Sequence, residues 1–180
     1  MEPSLLRHAL MVAGLLLGSL AFPVAAKVPV QAMTATVTGA NIQNVGFRAM
    51  IQKLAIQYNI AGDVRNGGAG IVIAHLQGDA ERIAPILEAV RAGNKKSSSG
   101  NSVTQAPFEA DPNLKTFTVY GWTSTSRHIT TPYDLVFTLR PTDEVISHKA
   151  AKKTWDSIAL ATLKGDDLER FQAHLDDPDD

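Results

Sequence analysis

An α+β two-layer sandwich, with an antiparallel sheet carrying two helices on one face, is the fold the sequence predicts. Three observations predict it. Apolar residues recur with a period of two in several short runs, two longer runs repeat with helical spacing, and the elements follow the order strand, helix, strand, strand, helix, strand, strand. That order is the split βαβ pattern of ferredoxin-like sandwiches.

The first strand covers residues 32–38, where Met33, Ala35 and Val37 alternate with Thr34, Thr36 and Thr38 so that one face is buried. A Gly- and Asn-containing loop from Gly39 turns the chain into a helix that starts near Phe47. In it Phe47, Met50, Ile51, Leu54, Ala55 and Tyr58 form one apolar stripe, and Asn59 can end it. Residues 60–66 read as a second strand, residues 66–70 (Asn-Gly-Gly-Ala-Gly) as a hairpin turn, and residues 71–76 as a third strand. Asp79 is a candidate N-cap for a second helix to about Arg91, with Ile83, Ile86, Leu87 and Val90 inside, Pro85 as its irregularity and Gly93 as its stop.

Residues 92–113 are rich in Lys, Ser, Gly, Asn and Pro and read as a flexible connection. Fourth and fifth strands follow at 115–125 and 133–139. Beyond them, residues 144–164 carry Ile146, Ala150, Ile158 and Leu163 with helical spacing, Gly165 breaks the pattern, and Asp166 can cap a last short helix holding Leu168, Phe171 and Leu175; an acidic tail closes the chain. On the third strand Val72, Ala74 and Leu76 are expected to face the helices. Ile71 and Ile73 then lie on the other face beside Tyr120, Trp122 and Val136, and the C-terminal helix is expected to cover that apolar face.

The chain has 180 residues, 44% hydrophobic and 19% charged, enough for one core with appendages. A formal charge of -1 argues against a general nucleic-acid or membrane-surface binder, which would carry a net basic field, so any anion selectivity must be local. Arg7 and His8 before an apolar run from Ala9 to Phe22, then Val24-Ala25-Ala26, read as a secretory signal over residues 1–26. The run is shorter than the ~20 residues of a spanning helix, so no stable membrane anchor is expected after cleavage, and the expected location is periplasmic or secreted. The expected organisation is a signal at 1–26, a sandwich domain at 27–141 and a helical extension at 142–180. The sequence contains no cysteine, which excludes disulfide and thiol chemistry.

The stretch Gly39 to Arg48 carries the candidate chemistry. A tight loop running into a helix N-terminus gathers backbone N–H groups and the positive end of the helix dipole, the ingredients of an anion cradle. Arg48, in the first turn, adds a planar fork of donors suited to phosphate oxygens. His75, His128, His148 and His174 lack ligand spacing, and neither a metal nor a cofactor is expected.

Residues 33–91 resemble an acylphosphatase. Gly39, the run Gln43-Asn44-Val45-Gly46-Phe47-Arg48, then Gly62, Val64 and Asn66, then Gly70, Val72 and Gly78 fall in the order of that family's signatures, and the 66 − 48 = 18 positions from Arg48 to Asn66 match its spacing. The resemblance implies a metal-independent hydrolase acting on a small-molecule acyl phosphate. Gln43, Asn44, Val45, Gly46, Phe47 and Arg48 would hold the phosphate, and Asn66 would position the attacking water. The chemistry is consistent: the departing carboxylate belongs to an acid of pKa near ~4, so no general acid is obligatory, and charge stabilisation and alignment remain to be supplied. A carboxylate at position 66 would repel the phosphate, whereas an amide can donate and accept. The sequence departs from the family pattern in two places, an extra residue between Gly39 and Gln43 and Asn44 where glycine is usual. A second expectation is a non-catalytic exported domain of the same fold that binds an anion, or a protein partner on the outer sheet face.

Overall fold

The structure is a computed structural model that describes residues 30–97 and 99–175. The signal segment read at 1–26 and the acidic tail at 176–180 lie outside the described residues. The elements are β1 (Val30–Thr38), α1 (Phe47–Tyr58), β2 (Ala61–Gly68), β3 (Ile71–Asp79), α2 (Ala80–Ala92), β4 (Ser102–Pro107), β5 (Thr116–Ser124), β6 (Ile129–Thr138), α3 (His148–Thr162) and α4 (Gly165–Gln172). They build one six-stranded sheet in the order β4-β1-β3-β2-β5-β6. Its first four strands have the ferredoxin-like arrangement, β5 lies parallel to β2, and β6 returns antiparallel along β5.

The first helix begins and ends at the residues its apolar stripe predicts, and Asn59 caps it in the left-handed conformation at φ 55°. The Asn59 side chain also donates to the carbonyls of Arg140 (3.2 Å) and Thr142 (3.1 Å), which fastens the segment leading to α3 onto the end of α1. On β3, Val72, Ala74 and Leu76 are buried under the helices, as their alternation predicts.

Three expectations are corrected. Residues 102–107 are not a flexible connection: they form the edge strand β4, paired antiparallel to β1 from Thr38↔Ser102 to Met33↔Pro107. Apart from half-buried Val103 its side chains are exposed, so backbone pairing rather than apolar alternation makes it a strand.

Trp122 does not share the outer face with Tyr120 and Val136. The β5–β6 register shifts between Val119 and Trp122, with Gly121 at φ 59°, and this bulge reverses the facing of every later residue in the strand. Trp122 is therefore buried on the helix side, at 3% exposure, while Tyr120 and Val136 remain exposed.

The C-terminal helices do not cover the outer sheet face. Helix α3 lies beside α1 over β6, in the same layer as α1 and α2, and α4 sits at its end. The physical reason is the width of the sheet. β5 lies under α1, but β6 extends past the cover of α1 and α2, and its inner residues Leu135 and Phe137 need a third helix. Gln52 on α1, fully buried, closes the junction: its Nε2 donates to Phe117 O (3.2 Å) and Leu135 O (2.7 Å), and its Oε1 accepts from Trp155 Nε1 (2.9 Å). Trp122, Trp155 and Phe171 meet edge to face or tilted, with centroids 5.6 to 6.2 Å apart. The segment beyond residue 142 thus belongs to the same core cluster as the sandwich.

Candidate functional site

The ends of β1, β2 and β5 and the start of α1 come together at one end of the sheet. β1 runs up into the loop, and α1 returns from it. β2 and β5 run parallel, and the last pair between them is Val64↔Val119. Two residues beyond that pair, on each strand, are Asn66 and Gly121.

Two residues of the loop adopt the left-handed conformation, Asn44 at φ 59° and Gly46 at φ 75°, with Val45 between them at negative φ. Such alternation turns consecutive N–H groups toward one side, as in backbone anion nests. Asn44 is one of the few non-glycine residue types that tolerate this conformation, so its replacement of glycine keeps the turn. The loop is held at three points. Gly39 N donates to Gly70 O (3.1 Å), Asn94 Nδ2 donates to Val45 O (2.9 Å), and Gln43 Nε2 donates to the carbonyls of Gly68 and of Ile71, the latter at 2.9 Å. The Gln43 side chain therefore ties the loop to the β2–β3 turn that begins just past Asn66. The extra residue falls between the tie at Gly39 and the tie at Gln43.

Gly46 is the N-cap of α1 and offers no side chain, and the first turn contains no acidic residue. Of the four helices among the described residues, α1 alone has neither a side-chain cap nor an acid in its first turn; α3 is capped by Ser147, and α2 and α4 carry Glu81 and Asp166 there. Its leading amides and its dipole are left for a ligand.

Arg48 is aimed by β5. Its Nη1 donates to Tyr120 O at 2.5 Å and to Gly121 O at 3.0 Å, two successive carbonyls exposed by the bulge. Gly121 N in turn donates to Asp134 Oδ1 at 2.8 Å, which holds the bulge from β6. Among the described residues no carboxylate lies within ion-pair distance of Arg48. Both bonds leave from Nη1, so Nε and Nη2 keep their donors. Partial burial lowers the guanidinium pKa from its ordinary value without neutralising it.

Asn66 lies on the same sheet face as Val64 by alternation, but at the strand end beyond the helices, where it is exposed. A register shift between Asn66 and Gly68 marks the start of the turn. Its carboxamide has no hydrogen-bond partner among the described residues. Phe47, also read as part of the cradle, is 1% exposed: its side chain belongs to the core, and only its backbone can face the loop. The carbonyls of Tyr120 and Gly121, and Asp134 behind them, had not been read from the sequence. The signal available was the lone Gly121 inside a strand pattern, a mark of a bulge or a close backbone approach.

A model of the acylphosphatase family matches residues 33–119. An acylphosphatase of Lacticaseibacillus paracasei is 28% identical over 85 residues, 47% of this chain and 91% of the relative. One from Azorhizobium caulinodans is 40% identical over 52 residues, 29% of this chain and 56% of the relative. Among solved structures, an acylphosphatase from Bacillus subtilis aligns with a TM-score of 0.42 at 28% identity, covering 49% of this chain and 96% of that one. Residues 33–119, which include the loop, Arg48, Asn66 and the start of β5, are an acylphosphatase-family domain.

Proposed function

We propose that the domain hydrolyses acyl phosphates, cleaving the carboxyl–phosphate bond to give a carboxylate and inorganic phosphate. The observation that carries this reading is the Arg48 guanidinium, fastened by one nitrogen to two backbone carbonyls beside an uncapped helix N-terminus and without a carboxylate partner among the described residues. Backbone amides from Gln43 to Phe47 and the remaining donors of Arg48 hold the phosphoryl oxygens, where charge spreads in the transition state. Asn66 orients a water in line with the leaving group. The water oxygen attacks phosphorus, the bond to the acyl oxygen breaks, the carboxylate leaves with the electron pair, and a phosphate oxygen takes the proton. Gln43 acts through its side chain as a clip that sets the loop height above the β2–β3 turn.

The test is turnover of benzoyl phosphate by the purified protein in the presence of a chelator, with inorganic phosphate as competitor. Chelator-resistant hydrolysis inhibited by phosphate is expected. Phosphate binding with no turnover would instead support the second reading, a non-catalytic anion- or protein-binding domain, which the secretory pattern of residues 1–26 favours. In that reading the outer sheet face, with Tyr120 and Val136 exposed, is the surface a protein partner would meet. Residues 1–26 have the pattern of a secretory signal, and we place the activity outside the cytoplasm on that basis.

A further inference from the structure

A cavity lies along the N-terminal half of α1, beside the loop that carries the cradle. It encloses about 490 Å3 between the N-terminal half of α1, the β5–β6 turn, the start of α3 and the segment after α2, and the loop residues Asn44–Gly46 form part of its rim. That volume is in the range of small-molecule sites, roughly 300 to 1,000 Å3. Arg48, Gln43 and Asn66 do not line it.

Its chemistry is lopsided. Lys53 comes from α1, Lys152 from α3, Arg127 from the β5–β6 turn, and Lys95 and Lys96 from the segment after α2, while among the described residues no carboxylate lines the space. This concentration of cations stands against a chain whose net charge is -1. Asp156, the acid whose charge acts on Lys53, is engaged by Lys152 at 3.1 Å. Apolar lining accompanies the cations: half-buried Val45, Met50 and Leu54, besides the buried indoles of Trp122 and Trp155.

Lys53 is the clearest sign of a missing partner. Its ammonium sits 4.6 Å from the centre of the Trp155 ring and has no hydrogen-bond or ion-pair partner among the described residues. Burial first, then the neighbouring charges of Lys152 and Arg127, push its pKa down to about 8, against a raising effect of Asp156. A half-buried cation among other cations is held at a cost that an anionic ligand would relieve.

We propose that this cavity is a binding site for a small organic anion with a ring in its body, the ring lying against the apolar lining at Met50 and Leu54 and the anionic group meeting the Lys53 ammonium. The site shares the loop residues Asn44–Gly46 with the phosphate cradle, but Gln43, Arg48 and Asn66 lie outside its lining. This inference does not depend on the hydrolytic reading.

The two tryptophans of the chain both line the cavity, so intrinsic fluorescence reports on it directly. The probes are 3-phenylpropionate, which is transparent at the indole excitation edge, its uncharged amide 3-phenylpropanamide, and inorganic phosphate, each titrated at pH 7. The expected result is a saturable emission change with the carboxylate, binding of the amide weaker by about tenfold or more, and a carboxylate curve unmoved by excess phosphate. Lys53→Met is expected to weaken carboxylate binding by about tenfold or more and Lys53→Arg to retain it; Lys53→Gln replaces the Met variant if that fails to fold. Equal binding of acid and amide, displacement by phosphate, unchanged binding in Lys53→Met, or no response at millimolar carboxylate would each overturn the proposal.

Discussion

The guanidinium of Arg48 is held by Gly121, whose carbonyl accepts from Nη1 at 3.0 Å across 73 residues of chain. Tyr120 accepts from the same nitrogen, so one edge of the fork is spent on positioning and the remaining donors are presented in a fixed direction. An arginine so placed is not exchangeable for lysine, whose single ammonium cannot bind two carbonyls and a phosphate in one geometry. Arg48→Lys is expected to fold with nearly unchanged melting temperature and to lose roughly 10² or more in kcat/KM on benzoyl phosphate. Steady-state kinetics beside a melting curve checks this.

The bulge that aims Arg48 depends on Gly121 at φ 59°, where a Cβ would stand 3.9 Å from Arg48 Nη1. Contact alone would be tolerated, but the left-handed backbone costs a non-glycine residue roughly 1 to 2 kcal/mol. Gly121→Ala is expected to lower stability by about that amount in denaturant unfolding and to lower kcat as the carbonyls shift. Restored activity at high substrate would contradict a positioning role, since only binding would then have been weakened.

For Asn66 the exposed, unbonded carboxamide separates chemistry from stability. Asn66→Ala is expected to leave the melting temperature within about a degree of the parent, because surface changes are usually within ~0.5 kcal/mol. It should retain inorganic phosphate as an inhibitor while losing turnover, and Asn66→Asp should weaken phosphate inhibition as well through charge repulsion. Phosphate inhibition constants measured for both variants test the distinction.

Trp155 is the element of the C-terminal segment that the sandwich cannot do without. It is 1% exposed, packs on Trp122 and Phe171, and satisfies buried Gln52. Trp155→Ala is expected to cost about 3 to 5 kcal/mol through cavity formation, with the orphaned Gln52 oxygen adding to it. Truncation after Arg140 should expose the inner faces of β5 and β6, lower the melting temperature and raise binding of a hydrophobic dye.

Lys53 ties stability to pH. Its folded-state pKa is lowered to about 8 by burial and by Lys152 and Arg127, with Asp156 opposing, while His148, Lys95 and Lys96 line the same cavity. Below pH 8 the folded state carries the full penalty of a desolvated charge. Between pH 8 and the ordinary lysine value near ~10.4 the folded state releases its proton first, so the unfolded state binds more protons and this contribution to stability rises with pH. Lys53→Met is therefore expected to raise the melting temperature at pH 7, and the gain over the parent should shrink toward pH 10. A gain that grows with pH would have the wrong sign.

How much of this could be seen in the sequence differs by element. Helix α1 was legible from Phe47 to Tyr58 because its apolar stripe and its terminator, Asn59, are both local. The positions of Arg48 and Asn66 were legible through the strand–loop–helix pattern and their spacing, which the parallel strands β2 and β5 bring to one end of the sheet. Strand β4 was hidden, since Ser102–Pro107 has almost no buried face and exists by pairing with β1. The facing of Trp122 was hidden by a single bulge at Gly121, because a one-residue shift inverts alternation. The apolar stripe of α3 announced a buried face without saying which surface receives it; the extra width contributed by β6 decides that, and width is a property of the assembled sheet.

The most direct test of the account is single-turnover hydrolysis of benzoyl phosphate by the parent protein and by Arg48→Ala, both in chelator and both shown to be folded by their melting curves. Turnover in the parent and a loss of roughly 10² to 10³ or more in Arg48→Ala are expected. Equal rates in the two proteins would contradict it.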